Sequence, residues 1–190
     1  MDEEYFEGIG CHVTTETYAD EILASGFKAG NGRKGKGTYF WLAQKVGCPD
    51  ATRLCDDWFE LKKSSDGYLA CSNKGKVILW RQLISKASET LYIDHPEYQF
   101  RINKLLRRVA HRLDKLSKKE RDELASGMHD VFYKEYNEQN SCKLKLVIAQ
   151  VPKPKVSSAD KSATEIYTMP PYACIVKDSS CIHTMDGLSR

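Results

Sequence analysis

The stretch between Tyr98 and Glu138 most constrains how this chain folds, because its apolar residues recur at steps of three and four. Such spacing places these residues on one face of an α-helix and leaves the opposite face polar. A second helix is predicted to begin after Ser117, which lies three residues before Glu120 and fits a capping box. The apolar stripe consists of Ile102, Leu105, Leu106, Val109, Leu113 and Leu116.

Strand patterns flank this helical middle on both sides. Before it, the segments "GIGCHVT", "TYFWLA", "KVILWRQLI" and, more weakly, "ETLYI" are rich in β-branched and aromatic residues. After it, "KLKLVIAQV", "TEIYTMP" and "YACIVK" have the same character, and shorter helices are predicted for "TETYADEILASGF" and from Pro49 to Lys63. This order predicts an α+β fold with a helical insertion at about residues 98–138.

Length and composition indicate a globular chain. The 190 residues suit one domain spanning 1–190, and no apolar run reaches the roughly 18 residues of a membrane helix, so no membrane partner is expected. The acidic start "MDEEYFEGIG" does not resemble a targeting peptide, which favours a cytoplasmic location in the protein's own cell or a host cell. Seven cysteines without a CxxC pair predict free, mostly buried thiols and no metal site.

Basic residues concentrate in the predicted helical middle. Lys104, Arg108, Arg112 and Lys115 are spaced to lie along one side of the same helix, opposite its apolar stripe. Such a face is usually only solvated, but it would also follow a phosphate backbone. Binding of RNA or DNA by this basic helix is therefore one hypothesis for the chain.

Three short segments combine residues that carry chemistry with predicted strands. These segments are "GCHVT", "GKGTYF" and "SATEIY". They lie far apart in the sequence, and sites assembled from several strands hold their side chains rigidly. The glycines around Lys34 and Lys36 predict a loop that moves over a bound ligand.

Together these segments resemble the ADP-ribosyltransferase superfamily, in its poly(ADP-ribose) polymerase and diphtheria-toxin-like branch with a His-Tyr-Glu triad. The resemblance rests on His12-x-Thr14, a helix ending "ILASGF", the "GKGTYF" segment and a late glutamate on a strand. It covers residues 8–62 and 144–177, and it implies a split, mostly antiparallel β core with flanking helices. NAD would be the co-substrate, held in the cleft of that core.

The resemblance implies a role for each matching residue. His12 would hold the adenosine ribose, Thr14 would fix the nicotinamide carboxamide, and Tyr39 would stack on the cationic nicotinamide ring. Glu165 would be the catalytic carboxylate that stabilises the oxocarbenium-like charge. The NAD contacts implied in this way are His12, Val13, Thr14, Tyr39 and Phe40.

The chain also departs from the family's pattern. Val13 occupies a position that is usually glycine, and Asp50 stands where the polymerases carry a second stacking aromatic, a role that Trp58 or Tyr68 would have to fill. Ala163 occupies the place of the second glutamate of arginine-modifying enzymes, which argues against arginine as the acceptor.

The expected function is transfer of a single ADP-ribose from NAD to a protein or nucleic-acid acceptor, with release of nicotinamide and no need for a metal. A small autonomous transferase of this kind is compatible with a toxin or effector. Two alternatives stay open: a catalytically inactive module that binds NAD or ADP-ribose, and an RNA- or DNA-binding protein that uses the basic helix.

Overall fold

A computed structural model of the chain describes residues 3–65, 67–68, 71, 74–113, 115–154 and 170–185. The strands of this part are β1 (Tyr5–Thr15), β2 (Gly30–Gly32), β3 (Gly35–Ala43), β4 (Lys76–Lys86), β5 (Thr90–Tyr92), β6 (Leu146–Gln150), β7 (Tyr172–Val176) and β8 (Ile182–His183). The α-helices are α1 (Glu16–Ser25), α2 (Pro49–Ser64), α3 (Pro96–Leu113) and α4 (Lys118–Asn140). The predicted α+β class is confirmed, and nearly all of the predicted strand "TEIYTMP" lies outside the described residues.

The helical middle divides at the predicted capping box. The Glu120 amide donates to Ser117 Oγ at 3.3 Å, and the Ser117 amide donates to Glu120 Oε2 at 2.8 Å. Both bonds satisfy amide groups that a helix N-terminus leaves unpaired. The segment is therefore two helices, α3 and α4, as the sequence predicts.

The described strands form one mixed sheet in the order β5-β6-β7-β3-β1-β4-β8, with β2 added to β3. β5 and β6 are parallel, whereas the other neighbours are antiparallel. The longest ladder joins β1 and β4 over their whole length, from Tyr5 opposite Lys86 to Thr15 opposite Lys76. This ladder fixes β1 firmly on one of its two edges.

On its other edge β1 is held over a much shorter distance. β3 pairs with β7 through Thr38–Trp41 and with β1 through Trp41–Ala43, so one strand bridges the two halves of the sheet. The β1–β3 ladder stops at Cys11 and Trp41, although both strands continue. Where a split core was expected, the described strands form one connected sheet that opens locally between β1 and β3.

Helices α3 and α4 cover one face of the sheet and complete its core. Phe132 of α4 is completely buried and Ile102 of α3 is 2% exposed, both against apolar residues of β6 and β7. The opposite face buries Phe40 and Leu83 with residues of β6 and β7. The segment predicted as an insertion is thus an integral packing layer.

A third cluster joins α2 to β1 through Cys11, Cys55 and Phe59. All seven cysteines are free thiols, and five of them are buried. The predicted free and mostly buried thiols are confirmed.

Gly37 and Gly30 face each other across the β2–β3 pair. Substituting each of them gives a matched test of how closely β3 packs against β7. A Cβ on Gly37 would lie 2.5 Å from Ile175 Cγ2 and 2.9 Å from the Val176 carbonyl oxygen, whereas a Cβ on Gly30 would meet nothing within 4 Å. We expect Gly37→Ala to lower the free energy of unfolding by about 1–3 kcal/mol. Gly30→Ala should change it by less than about 0.5 kcal/mol. Urea denaturation of both variants checks this, and equal effects would contradict the β3–β7 contact.

Candidate functional site

A pocket of about 250 Å³ lies beside the point where β1 and β3 separate. Side chains alternate along a strand, so Cys11 and Val13 of β1 face α2 while His12 and Thr14 face the pocket. Helix α1 and the turn after it form the other wall. The lining residues are His12, Thr14, Tyr18, Glu21, Ile22, Ser25, Gly26, Phe27 and Lys28.

The His12 ring bridges the gap between the two strands. Its Nδ1 lies 2.9 Å from the main-chain oxygen of Tyr39, just beyond the last residue pair of the β1–β3 ladder. A carbonyl oxygen only accepts, so Nδ1 carries the proton and donates it. A side chain thus replaces the strand-to-strand hydrogen bond that the ladder no longer provides.

This bond also defines the other ring nitrogen. Burial lowers the pKa of His12 below its ordinary value, the bond to Tyr39 opposes that shift, and the charge of Arg81 lowers the pKa further. A neutral ring with its proton on Nδ1 leaves a lone pair on Nε2. Nε2 therefore suits a hydroxyl donor, such as a sugar hydroxyl, better than it suits a carboxylate or a phosphate oxygen.

Thr14 and Thr15 lie on opposite sides of β1, and only Thr14 lines the pocket. Thr15 is the N-cap of α1, since its Oγ1 accepts from the Tyr18 amide at 3.4 Å, and its hydroxyl lies 3.3 Å from Cys71 Sγ. Thr14, on the opposite side of β1, lines the pocket and is 5% exposed. The cap keeps α1 close to β1, so the pocket has a fixed wall.

Aromatic rings support the His12 side of the pocket. Phe27 lies edge-on to His12 with ring centres 5.4 Å apart, and the ring centre of Phe40 lies 5.7 Å from that of His12 and 5.1 Å from that of Phe27. Phe40 is 1% exposed and belongs to the core beneath. It therefore supports the site from below, while Phe27 lies at the pocket wall.

Tyr39 lies on the opposite face of β3 from Phe40 and His12. Its hydroxyl donates to the Gly35 carbonyl at 2.7 Å and accepts from the Lys34 amide at 3.1 Å, while its ring packs against the α3–α4 core and directly against Gly32. Burial raises the pKa of Tyr39, so the hydroxyl stays protonated. The structure brings the Tyr39 backbone, but not its ring, to the His12 pocket.

The glycine-rich segment before Tyr39 is a β2–β3 hairpin anchored on α4, not a free loop. The Asp130 carboxylate accepts from the Lys36 amide at 3.1 Å and from Lys177 Nζ at 2.9 Å. Tyr133 donates to the Lys34 carbonyl at 2.7 Å. At Gly35, φ is +96° and a Cβ would overlap Asp130 and Tyr133, so glycine is needed there. The loop motion expected from the sequence has no support in this geometry.

The positions that depart from the family's pattern lie away from the pocket. Val13 is 5% exposed and packs toward α2, and Asp50 is exposed in the first turn of that helix. The Tyr68 ring centre lies 5.2 Å from that of Phe59, and Trp58 lies at the surface with Lys62 over its ring. Neither Trp58 nor Tyr68 lines the His12 pocket.

Glu165 and Ala163 lie outside the described residues, so the catalytic assignment stays a prediction. Glu21 and Lys28, which line the pocket, were not predicted as site residues. Glu21 lies three residues after Tyr18 on the same side of α1, but the sequence alone does not mark that side as part of a site. Lys28 follows the helix in an irregular turn, where no periodicity could indicate it.

The basic residues of the helical middle are divided between elements. Lys104 and Arg108 are exposed on α3, whereas the side chain of Arg112 lies outside the described part. Lys115 is exposed but lies beyond the last residue of α3, so its expected place on the same helix side is wrong. The capping box at Ser117 then begins a separate helix.

Within the described residues, no three His, Cys, Asp or Glu side chains are grouped closely enough to hold a metal ion. In the same part of the chain, no helix has the length and apolar character needed to cross a bilayer.

No protein-family model, curated protein or solved structure matches this chain.

The His12 bond predicts a pH dependence of stability. Below about pH 6.5 the unfolded chain binds a proton at His12 that the folded chain, with its lowered pKa, does not bind. Stability therefore falls as the pH drops below about 6.5, until the folded pKa is reached. His129, whose pKa burial also lowers, adds to the effect.

His12→Asn separates the two contributions, because an asparagine amide can still donate to the Tyr39 carbonyl but does not titrate. We expect its free energy of unfolding to fall less between pH 8 and pH 5 than that of the wild type, with His129 responsible for the remainder. Urea denaturation across that range measures this. An unchanged pH profile would exclude His12 as a source.

Two carboxylates of α4 anchor the hairpin and give a second matched test. Asp130 neutralises Lys177, whose ammonium is mostly buried over the Tyr133 ring, whereas Asp122 pairs with the exposed Arg33. We expect Asp130→Ala to cost about 1–3 kcal/mol, because the mostly buried ammonium loses its carboxylate partner and the Lys36 amide loses its acceptor. Asp122→Ala should cost at most about 1 kcal/mol. Thermal and urea unfolding of both variants provide the comparison, and a larger cost at Asp122 would contradict this account.

Proposed function

We propose that this chain binds NAD at the His12 pocket and transfers one ADP-ribose to a macromolecular acceptor, releasing nicotinamide. The observation that carries the proposal is the His12–Tyr39 carbonyl bond, which lies where β1 and β3 separate and leaves Nε2 of this pocket-lining ring as a hydrogen-bond acceptor. A ribose hydroxyl is the donor that suits such a nitrogen. The sequence resemblance supports the same assignment for His12.

The size of the pocket fits half of a dinucleotide. Its volume of about 250 Å³ is slightly below the roughly 300–1,000 Å³ of sites that enclose whole small ligands. In the proposal, the pocket takes the adenosine ribose, and Lys28 at its wall complements the pyrophosphate. The Tyr39 ring packs on the other face of the sheet, so the proposal assigns it no stacking role and leaves the nicotinamide end outside the pocket.

The chemistry needs no further reagent. The bond between ribose C1′ and the nicotinamide nitrogen breaks, and its electron pair neutralises the pyridinium ring. A nucleophile of the acceptor then forms a bond to C1′ and loses its proton to a base or to water. In the proposal, Glu165 stabilises the positive charge that develops on the ribose between these events.

Nicotinamide release from NAD, in the presence of a cell lysate as the source of acceptor, tests the proposal. We expect Glu165→Ala to lower the rate by roughly 10²–10³-fold while NAD still binds, since it removes charge stabilisation needed only in the transition state. Asp160→Ala, a neighbouring acidic position, is the control and should keep activity. If Glu165→Ala is as active as wild type, the catalytic assignment fails.

Binding of NAD provides the matching measurement for His12. His12→Asn retains the donor to Tyr39 but loses Nε2, so we expect NAD affinity to fall about five-fold, which corresponds to about 1 kcal/mol. NAD binding by wild type without any nicotinamide release would support the inactive binding module instead. No binding at all would remove both hypotheses. Nuclease or protease treatment of the labelled lysate then identifies the acceptor class.

A further inference from the structure

We propose that the exposed side of α3 binds single-stranded nucleic acid, with Phe100 as a stacking ring and a row of basic side chains as phosphate contacts. This inference is independent of the NAD proposal, because it concerns a different surface. If both hold, the strand bound there is a natural acceptor for the transfer reaction.

The first observation is a strongly exposed aromatic ring on α3. Phe100 is 68% exposed, the most exposed large hydrophobic side chain of the described residues. The apolar stripe of α3 faces the other way, since Ile102 is 2% exposed and Leu105 and Leu106 pack against the α3–α4 core. Phe100 is therefore not a displaced core residue, and its ring is accessible to a stacking partner.

The second observation is the charge that surrounds this ring. Lys104, Arg107 and His111 follow Phe100 at steps of four, three and four, so they share its side of the helix, and Arg108 flanks them. All four side chains are exposed. Over α3 the sequence has five basic residues, which are Arg101, Lys104, Arg107, Arg108 and Arg112, against one acidic residue, Glu97.

This charge is not neutralised from the neighbouring helix. Three acidic residues of α4 are engaged elsewhere: Asp122 with Arg33, Glu123 with Lys119 and Glu138 with Lys134. Glu135 lies 3.8 Å from Arg101, which precedes the four exposed basic-row residues Lys104, Arg107, Arg108 and His111. Among the described residues, no ion pair involves Lys104, Arg107 or Arg108, so their charges are available to an anionic partner.

The third observation is an open depression on the same helix. It has a volume of about 380 Å³ and is lined by Asn103, Leu106, Arg107, Ala110 and Leu113. Arg107 belongs both to this depression and to the basic row. An unstacked base in the depression would meet apolar side chains and the Asn103 amide, which donates and accepts hydrogen bonds.

These features favour a single strand over other polyanions. A duplex keeps its bases stacked, so Phe100 would have no ring to stack on, whereas a single strand exposes the face of every base. A helix that binds a membrane surface inserts its apolar face between the lipids, but the apolar face of α3 is buried in the core. The combination of one exposed ring with unpaired arginines and lysine is typical of strand-tracking surfaces.

Fluorescence anisotropy with labelled oligothymidylate and oligouridylate, in the absence of NAD, tests the inference. We expect binding that weakens between about 50 and 200 mM salt, and Phe100→Ala to lower affinity by roughly 10-fold. Phe100→Trp should preserve binding. The Arg107→Ala and Arg108→Ala double variant should flatten the slope of log K against log salt by about 0.7 for each phosphate that is no longer neutralised.

The controls come from α4 and from other polyanions. Val131→Ala removes a 46% exposed apolar side chain and Lys134→Ala removes a 79% exposed charge, and neither should affect binding. Equal binding of duplex DNA, or unchanged affinity in Phe100→Ala, would overturn the stacking role. Binding to phosphatidylserine vesicles but not to oligonucleotides would replace the inference with a membrane surface. Because NAD is absent, the result does not depend on whether the His12 pocket is active.

Discussion

The hydrogen bond from His12 to the Tyr39 carbonyl is the interaction on which the proposed site depends. β1 is held along its whole length by β4, but β3 must serve both β1 and β7, and its pairing with β1 ends at Trp41. The imidazole closes the gap that this creates. This hydrogen bond therefore links the two halves of the sheet at the pocket and also sets the proton position of the His12 ring.

The other side of β3 is stabilised by a different set of interactions. Asp130 and Tyr133 of α4 anchor the hairpin that carries Lys34 and Lys36, and the Tyr39 hydroxyl is bonded within that hairpin. The helical layer thus determines where β3 runs, and through the Tyr39 backbone it influences His12. Sequence segments more than a hundred residues apart contribute to one local geometry.

Much of the fold could be predicted from the sequence because it follows local patterns. The helical periodicity after Tyr98, the capping box at Ser117 and the β-branched strands depend on neighbouring residues, and the structure confirms those that lie within the described residues. The hydrogen bond from His12 to the Tyr39 carbonyl could not be predicted from the sequence. Both belong to the recognised segments, but the face on which each ring lies depends on strand register, and a motif does not reveal register. Phe27 and Lys28 carried no periodic signal, and Glu165 lies outside the described residues.

The parallel pairing of β5 with β6 has a consequence for how the chain reaches this structure. Parallel neighbours need a long crossover connection, and here that connection is the whole of α3 and α4. Pairing of β5 with β6 therefore joins residues that the whole helical layer separates in sequence, and such non-local contacts are slow to form. The last strands and the helical layer should consequently assemble late and together, as one cooperative unit on a sheet already built around β1 and β4.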